Sequence, residues 1–285
     1  MKIALFNLEP KYKNLALEKL RLYHQNQDDD VEDYFALKSY DKIYASSIFS
    51  FTDKSTVPQG AICGGTGFDL TAHLPPEVEA VKPRLNFGFI TRGCIRNCSF
   101  CVVPRKEGSM SVEGTLLDLW DGCAKEVKVL DNNILAVPDS FNQMCEMAAV
   151  NHITVDINQG LDHRLLTPEI CQKLKAIPHV EYHFAFDHPQ SYKGVAKAIR
   201  MLADVGIRRS TWYVLVGYDT THREDLFRLQ FLKWHGQNAF VQRYHRDNRV
   251  HLMLARWANQ HHIFQGMTWD EFLKQEYPAD RERYL

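Results

Sequence analysis

The chain has 285 residues, of which 45% are hydrophobic and 24% charged, so it is long enough to bury a substantial core and falls in the ordinary globular class. A net charge of −1 leaves no global field to recruit nucleic acid or an anionic membrane. No stretch approaches the ~20 apolar residues that span a bilayer, and the seven cysteines, an odd number, are not the paired framework of a secreted domain. A reducing, cytoplasmic setting follows as the expectation, with no membrane partner.

Residues 1–80 read as a small Rossmann-like α/β unit. The opening run from Met1 to Phe6 is too short for a signal peptide and reads as a strand over 3–7. Leucines at helical spacing (Leu15, Leu17, Leu20, Leu22) predict a helix over 14–25, and the polar run 25–30 ends it. A second strand is expected over 41–49. The glycines Gly60, Gly64, Gly65 and Gly67 mark irregular backbone, and Gly64-Gly65-Thr66-Gly67 lacks the lysine and spacing of a phosphate loop. Pro75-Pro76 and the polar residues to Pro83 read as a linker.

From residue 84 to 245 strand and helix alternate. Strands are expected over 85–90, 127–130, 153–157, 180–186, 211–216 and 240–244. Helices are expected between them over 111–121, 140–150, 167–176, 192–205 and 223–234, with Thr167 capping and Gly206 closing two of them. Such alternation implies right-handed crossovers and a parallel sheet whose functional groups gather at the C-terminal strand ends. Residues 246–285 read as a helical extension of two helices, the second opened by the capping box Thr268–Glu271.

The most informative run is Gly93-Cys94-Ile95-Arg96-Asn97-Cys98-Ser99-Phe100-Cys101, directly after the first of these strands. Three thiolates on one tight loop can hold a metal centre and leave its coordination incomplete. Structural zinc takes a second pair of ligands a dozen or more residues away, and none is present, though a site of three cysteines and one histidine stays open. Three unrelated buried cysteines are the blander alternative, and the polar, turn-like loop speaks against them. An iron–sulfur cluster with one open iron fits the count best. Cys63, Cys123, Cys145 and Cys171 read as small buried hydrophobes.

Cys-x3-Cys-x-Phe-Cys after the first strand of a repeated β/α array resembles the radical S-adenosylmethionine superfamily. The wider run 93–108 is similar to its methylthiotransferase and phage-encoded branches. The resemblance covers about residues 84–245 and implies a partial, TIM-like (β/α)6 barrel. It implies that Cys94, Cys98 and Cys101 bind three irons of a 4Fe–4S cluster and S-adenosylmethionine chelates the fourth. It further implies oxygen-sensitive chemistry in which a reductant such as flavodoxin or ferredoxin drives release of a 5′-deoxyadenosyl radical. That radical abstracts hydrogen from a substrate that is a nucleotide, an amino acid or a peptide.

The family's segment after the second strand meets the methionyl amine; here it reads Asp131-Asn132-Asn133, an acid and two amides that could accept an ammonium hydrogen bond, with Asp131 the first choice or a plain turn residue. Phe100 resembles the aromatic near adenine, and Val216-Gly217 the strand end that lines the adenine pocket. The polar cluster after the third strand, Asn158, Gln159, Asp162 and Arg164, could meet ribose or substrate, with Asp187 and Arg243 as further substrate candidates. Each of these also has an ordinary reading as a capped loop or a solvated charge. The basic run 243–251 could grip nucleic acid or be a plain exposed loop. Only Cys63 precedes Cys94, which argues against the second cluster of a methylthiotransferase, and the short tail is not an RNA-binding barrel. A rival from another class is a non-catalytic module that holds zinc or a cluster and binds a partner.

Overall fold

In the structure, a computed structural model that describes residues 1–284, the first unit is a four-stranded parallel sheet. Its strands are β1 (Lys2–Asn7), β2 (Asp30–Asp33), β3 (Lys42–Ser46) and β4 (Ile62–Gly64), in the order β2-β1-β3-β4. The helix Leu15–Gln25 starts where the Asn14 side chain accepts the Leu17 N–H, and it buries Leu17 and Leu20 on Ile3 and Leu5. β2 has no apolar stripe to announce it; as an edge strand it tolerates three acids, and charge there discourages edge-to-edge pairing. The expected linker contains the short helix Pro76–Glu79. Pro76 sits at its start, where a missing N–H costs nothing, and Val78 joins the small core.

The second unit supplies β5 (Phe87–Gly88), the hairpin β6 (Thr91–Arg92) and β7 (Ser111–Val112), then β8 (Glu126–Val129) and β9 (Thr154–Ile157). It ends with β10 (His183–Ala185), β11 (Thr211–Val216) and β12 (Asn238–Arg243). β5-β8-β9 and β10-β11-β12 are two parallel sheets, and single parallel bridges, Val155–His179 and Leu161–Phe184, link the intervening chain to them. Helices Pro138–Asn151, Pro168–Ala176, Tyr192–Asp204 and His222–Trp234 alternate with these strands. The fold is α/β, as expected. Among the described residues no helix is long and apolar enough to cross a membrane.

Strand periodicity of two sorts the side chains. Val127, Val129, Val155, Ile157, Phe184, Trp212, Val214 and Val241 are all buried in one large core with the helices. The alternate positions Lys128, Asn158, His183, Asp187, Tyr213 and Phe240 keep solvent access. Parallel sheets are usually covered on both faces. Here the second face is polar and open, which is what a binding surface requires.

Two expectations are corrected. Ser111 opens no helix: it pairs with Arg92 in the β6–β7 hairpin, and its hydroxyl bonds Glu113 at 3.1 Å. The helix there is only Leu116–Leu119, set by the capping box of Thr115 and Asp118. The tail has three main helices rather than two, Arg249–Ala258, His261–Gly266 and Trp269–Glu276. Their Trp257, Phe264, Trp269 and Phe272 belong to the large core. The break after Ala258 frees Asn259 to accept the Val241 N–H at 2.6 Å and donate to the Val241 carbonyl at 3.2 Å, satisfying the outer edge of β12.

Arg228 ties the second sheet together from the helix side. Fully buried, it donates to the carbonyls of Phe186, Asp187 and Leu215 and to the equally buried Asp225. Truncating one partner of a buried pair strands the other charge, so Arg228→Met should cost about 3–5 kcal/mol. Urea denaturation checks this: the expected outcome is a lower midpoint with an unchanged slope, and a loss below ~1 kcal/mol contradicts it.

Candidate functional site

β5 delivers the chain to the C-terminal end of the sheet, and the β6–β7 hairpin closes the base of the cysteine loop. Gly93 starts that loop at φ +80°, and a Cβ there would lie 2.5 Å from the Ser109 carbonyl oxygen. No side chain fits. Asp131, just past β8, is fully buried and accepts the Ile90 N–H (2.7 Å), the Thr91 N–H (2.6 Å) and the Thr91 hydroxyl (2.5 Å). The acid expected to meet a cofactor amine is instead engaged in fastening the strand that carries the cysteines. Burial pushes its pKa up to about 6, against the pull of those donors.

Cys94, Cys98 and Cys101 are reduced and partly exposed. The Cys94 sulfur accepts the Arg96 N–H at 3.3 Å and faces the Asn133 amide nitrogen at 3.6 Å. Cys98 and Cys101 share a turn closed by the Cys101 N–H on the Cys98 carbonyl at 3.0 Å. Burial raises the Cys98 thiol pKa, and Cys101, Asp187 and Cys94 raise it further while the Arg164 guanidinium opposes them. Those five groups therefore share one neighbourhood. Of the other cysteines, Cys145 and Cys171 are buried as expected, whereas Cys63, on the edge strand β4, and Cys123, in a turn, are exposed. Among the described residues no three His, Cys, Asp or Glu side chains converge on a point fit for a single metal ion.

Asp162 and Arg164 join the cysteine loop, but not as free ligand groups. Burial raises the Asp162 pKa, yet its bonds to Arg164 (2.6 Å) and Arg96 (2.8 Å) win and hold it below the usual carboxylate range. It also caps the turn His163–Leu165. Arg164 is thereby pinned while half its side chain stays exposed. Gln159 is exposed. Asn158, at the end of β9, gives its carbonyl to the Tyr213 hydroxyl at 2.5 Å, while its side-chain oxygen is buried without a partner. Asn133 is orphaned in the same way. Its amide nitrogen faces Cys94 and the Asp162 carboxylate (3.5 Å), which fixes the amide's orientation and leaves its oxygen unpaired. Two buried acceptors without donors, after the adjacent strands β8 and β9 and one of them beside Cys94, suit a ligand that brings N–H groups.

Phe100 sits on the rim, 5.4 Å from the Tyr218 ring and 6.2 Å from His188, and Tyr218 continues to Tyr244 at 4.8 Å. Asp187 accepts only the Leu215 N–H (3.3 Å), and burial raises its pKa. Three candidates fall away from this constellation. The Val216 side chain faces the helices, because its parity matches Trp212 and Val214. Gly217 does permit a close approach, but by His251: a Cβ there would lie 2.1 Å from that imidazole. Arg243 shares the parity of Val241 and lines a shallow cleft of about 390 Å³ with Arg246 and Arg256, away from the open face. Arg96 and Tyr218 were not singled out, although Arg96 lies inside the cysteine motif; Asn133 is one of the two amides expected beside Asp131 as ammonium acceptors.

Compared with known proteins, the chain matches no family model and no curated sequence.

The Asp131 clamp has a pH signature. Its pKa is raised from 3.8 to about 6 on folding, so the folded chain holds a proton the unfolded chain lacks between those values. The contribution is present below ~pH 4 and is lost as pH rises through about 6, to the extent of about 3 kcal/mol. Asp131→Asn should flatten the fall in stability across that window, read from denaturation midpoints at several pH values; an unchanged slope contradicts this.

Proposed function

We propose that the chain is a radical S-adenosylmethionine enzyme with one 4Fe–4S cluster. The observation that carries this reading is the pairing of three thiols on one locked loop with two orphaned amide oxygens, Asn133 and Asn158, at the neighbouring strand ends. The strand sequence β5, β8, β9, β10, β11, β12 supports a reading as six staves of an open (β/α)6 barrel, with the polar face as its interior.

Cys94, Cys98 and Cys101 would hold three irons. When bound, the cluster and its S-adenosylmethionine supply a one-electron cleavage that yields methionine and a 5′-deoxyadenosyl radical. The chain's own residues do the rest. The Arg96 N–H and the Asn133 amide donate to the Cys94 sulfur, the kind of hydrogen bond that tunes a cluster's potential. The Asn133 and Asn158 oxygens would be the acceptors for a methionyl ammonium, and Arg164 the partner for its carboxylate. Phe100 and Tyr218 offer ring faces and edges to adenine. Asp187, half-buried beside Cys98, is the group placed to hold or pass a proton near the reacting centre. A flavodoxin- or ferredoxin-type donor in a reducing cytoplasm would supply the electron.

Protein purified without oxygen should carry about four irons and four sulfides per chain and release 5′-deoxyadenosine when reduced with S-adenosylmethionine. Cys94→Ala, Cys98→Ala and Cys101→Ala should each lose most of the iron, and Cys123→Ala none. Zinc without iron, or a full cluster that releases no 5′-deoxyadenosine, contradicts the proposal.

A further inference from the structure

A cavity of about 650 Å³ lies away from the cysteines; none of Cys94, Cys98 and Cys101 lines it. It lies between the first sheet and the start of the second, and its volume is that of a small-molecule site. We infer that it binds a nucleoside phosphate, a ligand separate from anything held at the cysteine loop.

Topology gives the first argument. In the order β2-β1-β3-β4 the chain passes from β1 to β2 on one side and then crosses back to β3 and β4 on the other, so the order reverses between β1 and β3. Ligands of open α/β sheets bind in the crevice outside the C-terminal strand ends at such a reversal. Of the two strands that flank the reversal, β3 reaches the cavity with its last residue Ser46 and with Ser47, and Gly64 at the end of the neighbouring β4 lines it too. Asn14, which caps the facing helix, lines it as well and donates to the Ser46 hydroxyl at 2.8 Å.

The lining gives the second argument. Tyr23, Tyr44, Phe87 and Phe89 present aromatic surface of the kind on which a base stacks. At one end Arg92 and Lys106 bring positive charge. The Arg92 Nε is buried without a hydrogen-bond partner, and Lys106, half-buried, forms no ion pair among the described residues. Lys13 stands 5.6 Å from the Phe87 ring, likewise without an ion-pair partner among them. Of the acids lining the cavity, Glu79 is engaged by Lys19 and Arg92 and Glu107 by the Asn132 amide at 2.8 Å, while Glu77 is exposed to solvent. Lys106 and Lys13, unpaired among the described residues beside aromatic walls, call for an anion that carries a ring.

Gly64 supplies a clean test. Its backbone lies outside the left-handed region, and a Cβ there meets nothing within 4 Å. Gly64→Phe therefore adds a bulky ring at the cavity wall with room for its Cβ. Calorimetric titration of the full-length, iron-loaded protein would use the four ribonucleoside 5′-monophosphates, their nucleosides and inorganic phosphate. At least one monophosphate should bind tenfold or more tightly than both its nucleoside and phosphate. Gly64→Phe should abolish that binding, and Arg92→Gln with Lys106→Gln should weaken it at least tenfold, with iron content unchanged in each. Monophosphates that bind no better than inorganic phosphate, or binding that survives Gly64→Phe, overturn the inference. Neither outcome depends on cofactor cleavage, so a failure here is distinct from a failure of the proposed function.

Discussion

The carboxylate of Asp131 takes the N–H groups of Ile90 and Thr91 and the Thr91 hydroxyl, and the position of the cysteine loop depends on that clamp. β5 itself is only two residues long and pairs weakly with β8. Without a second attachment the chain after Ile90 would have little to aim it. A fully buried acid with three donors is costly to leave ionised, as its raised pKa records. In exchange it sets the direction in which Gly93 turns and therefore where the three thiols stand.

Around the clamp the site is built from pairs that hold one another rather than from groups held open. Asp162 fixes Arg96 and Arg164, Arg228 fixes the carbonyl ends of β10 and β11, and Asp225 fixes the Gly217 turn at 3.1 Å. What such a frame leaves unsatisfied then carries information. Among the described residues few buried side-chain atoms lack partners, and two of them are the amide oxygens of Asn133, beside Cys94, and Asn158, after the next strand. Preorganised acceptors of this kind cost stability in the empty chain and return it when a donor arrives.

Much of the framework was legible in the sequence because it rests on periodicity and caps. β11 falls where it was expected, and Thr167, Gly206 and Thr268 sit at the helix ends they signalled. The short edge strands β2 and β4 carried no apolar stripe, and the β6–β7 hairpin hid behind a serine that resembled a helix cap. Among site residues, the cysteines were legible from spacing alone. The roles of Asp131, Gly217 and Arg243 were not, because each turns on a partner distant in sequence or on strand parity. Asp131 reaches back forty residues to Thr91, and Gly217 is covered by His251 from the tail.

The central claim is that the cysteine loop leaves one iron open and that S-adenosylmethionine occupies it. Electron paramagnetic resonance of the reduced, anaerobically prepared protein tests this most directly, recorded before and after addition of S-adenosylmethionine. The account predicts a cluster signal whose g-values shift on addition, as direct coordination requires. A cluster spectrum that is identical in both samples would contradict it.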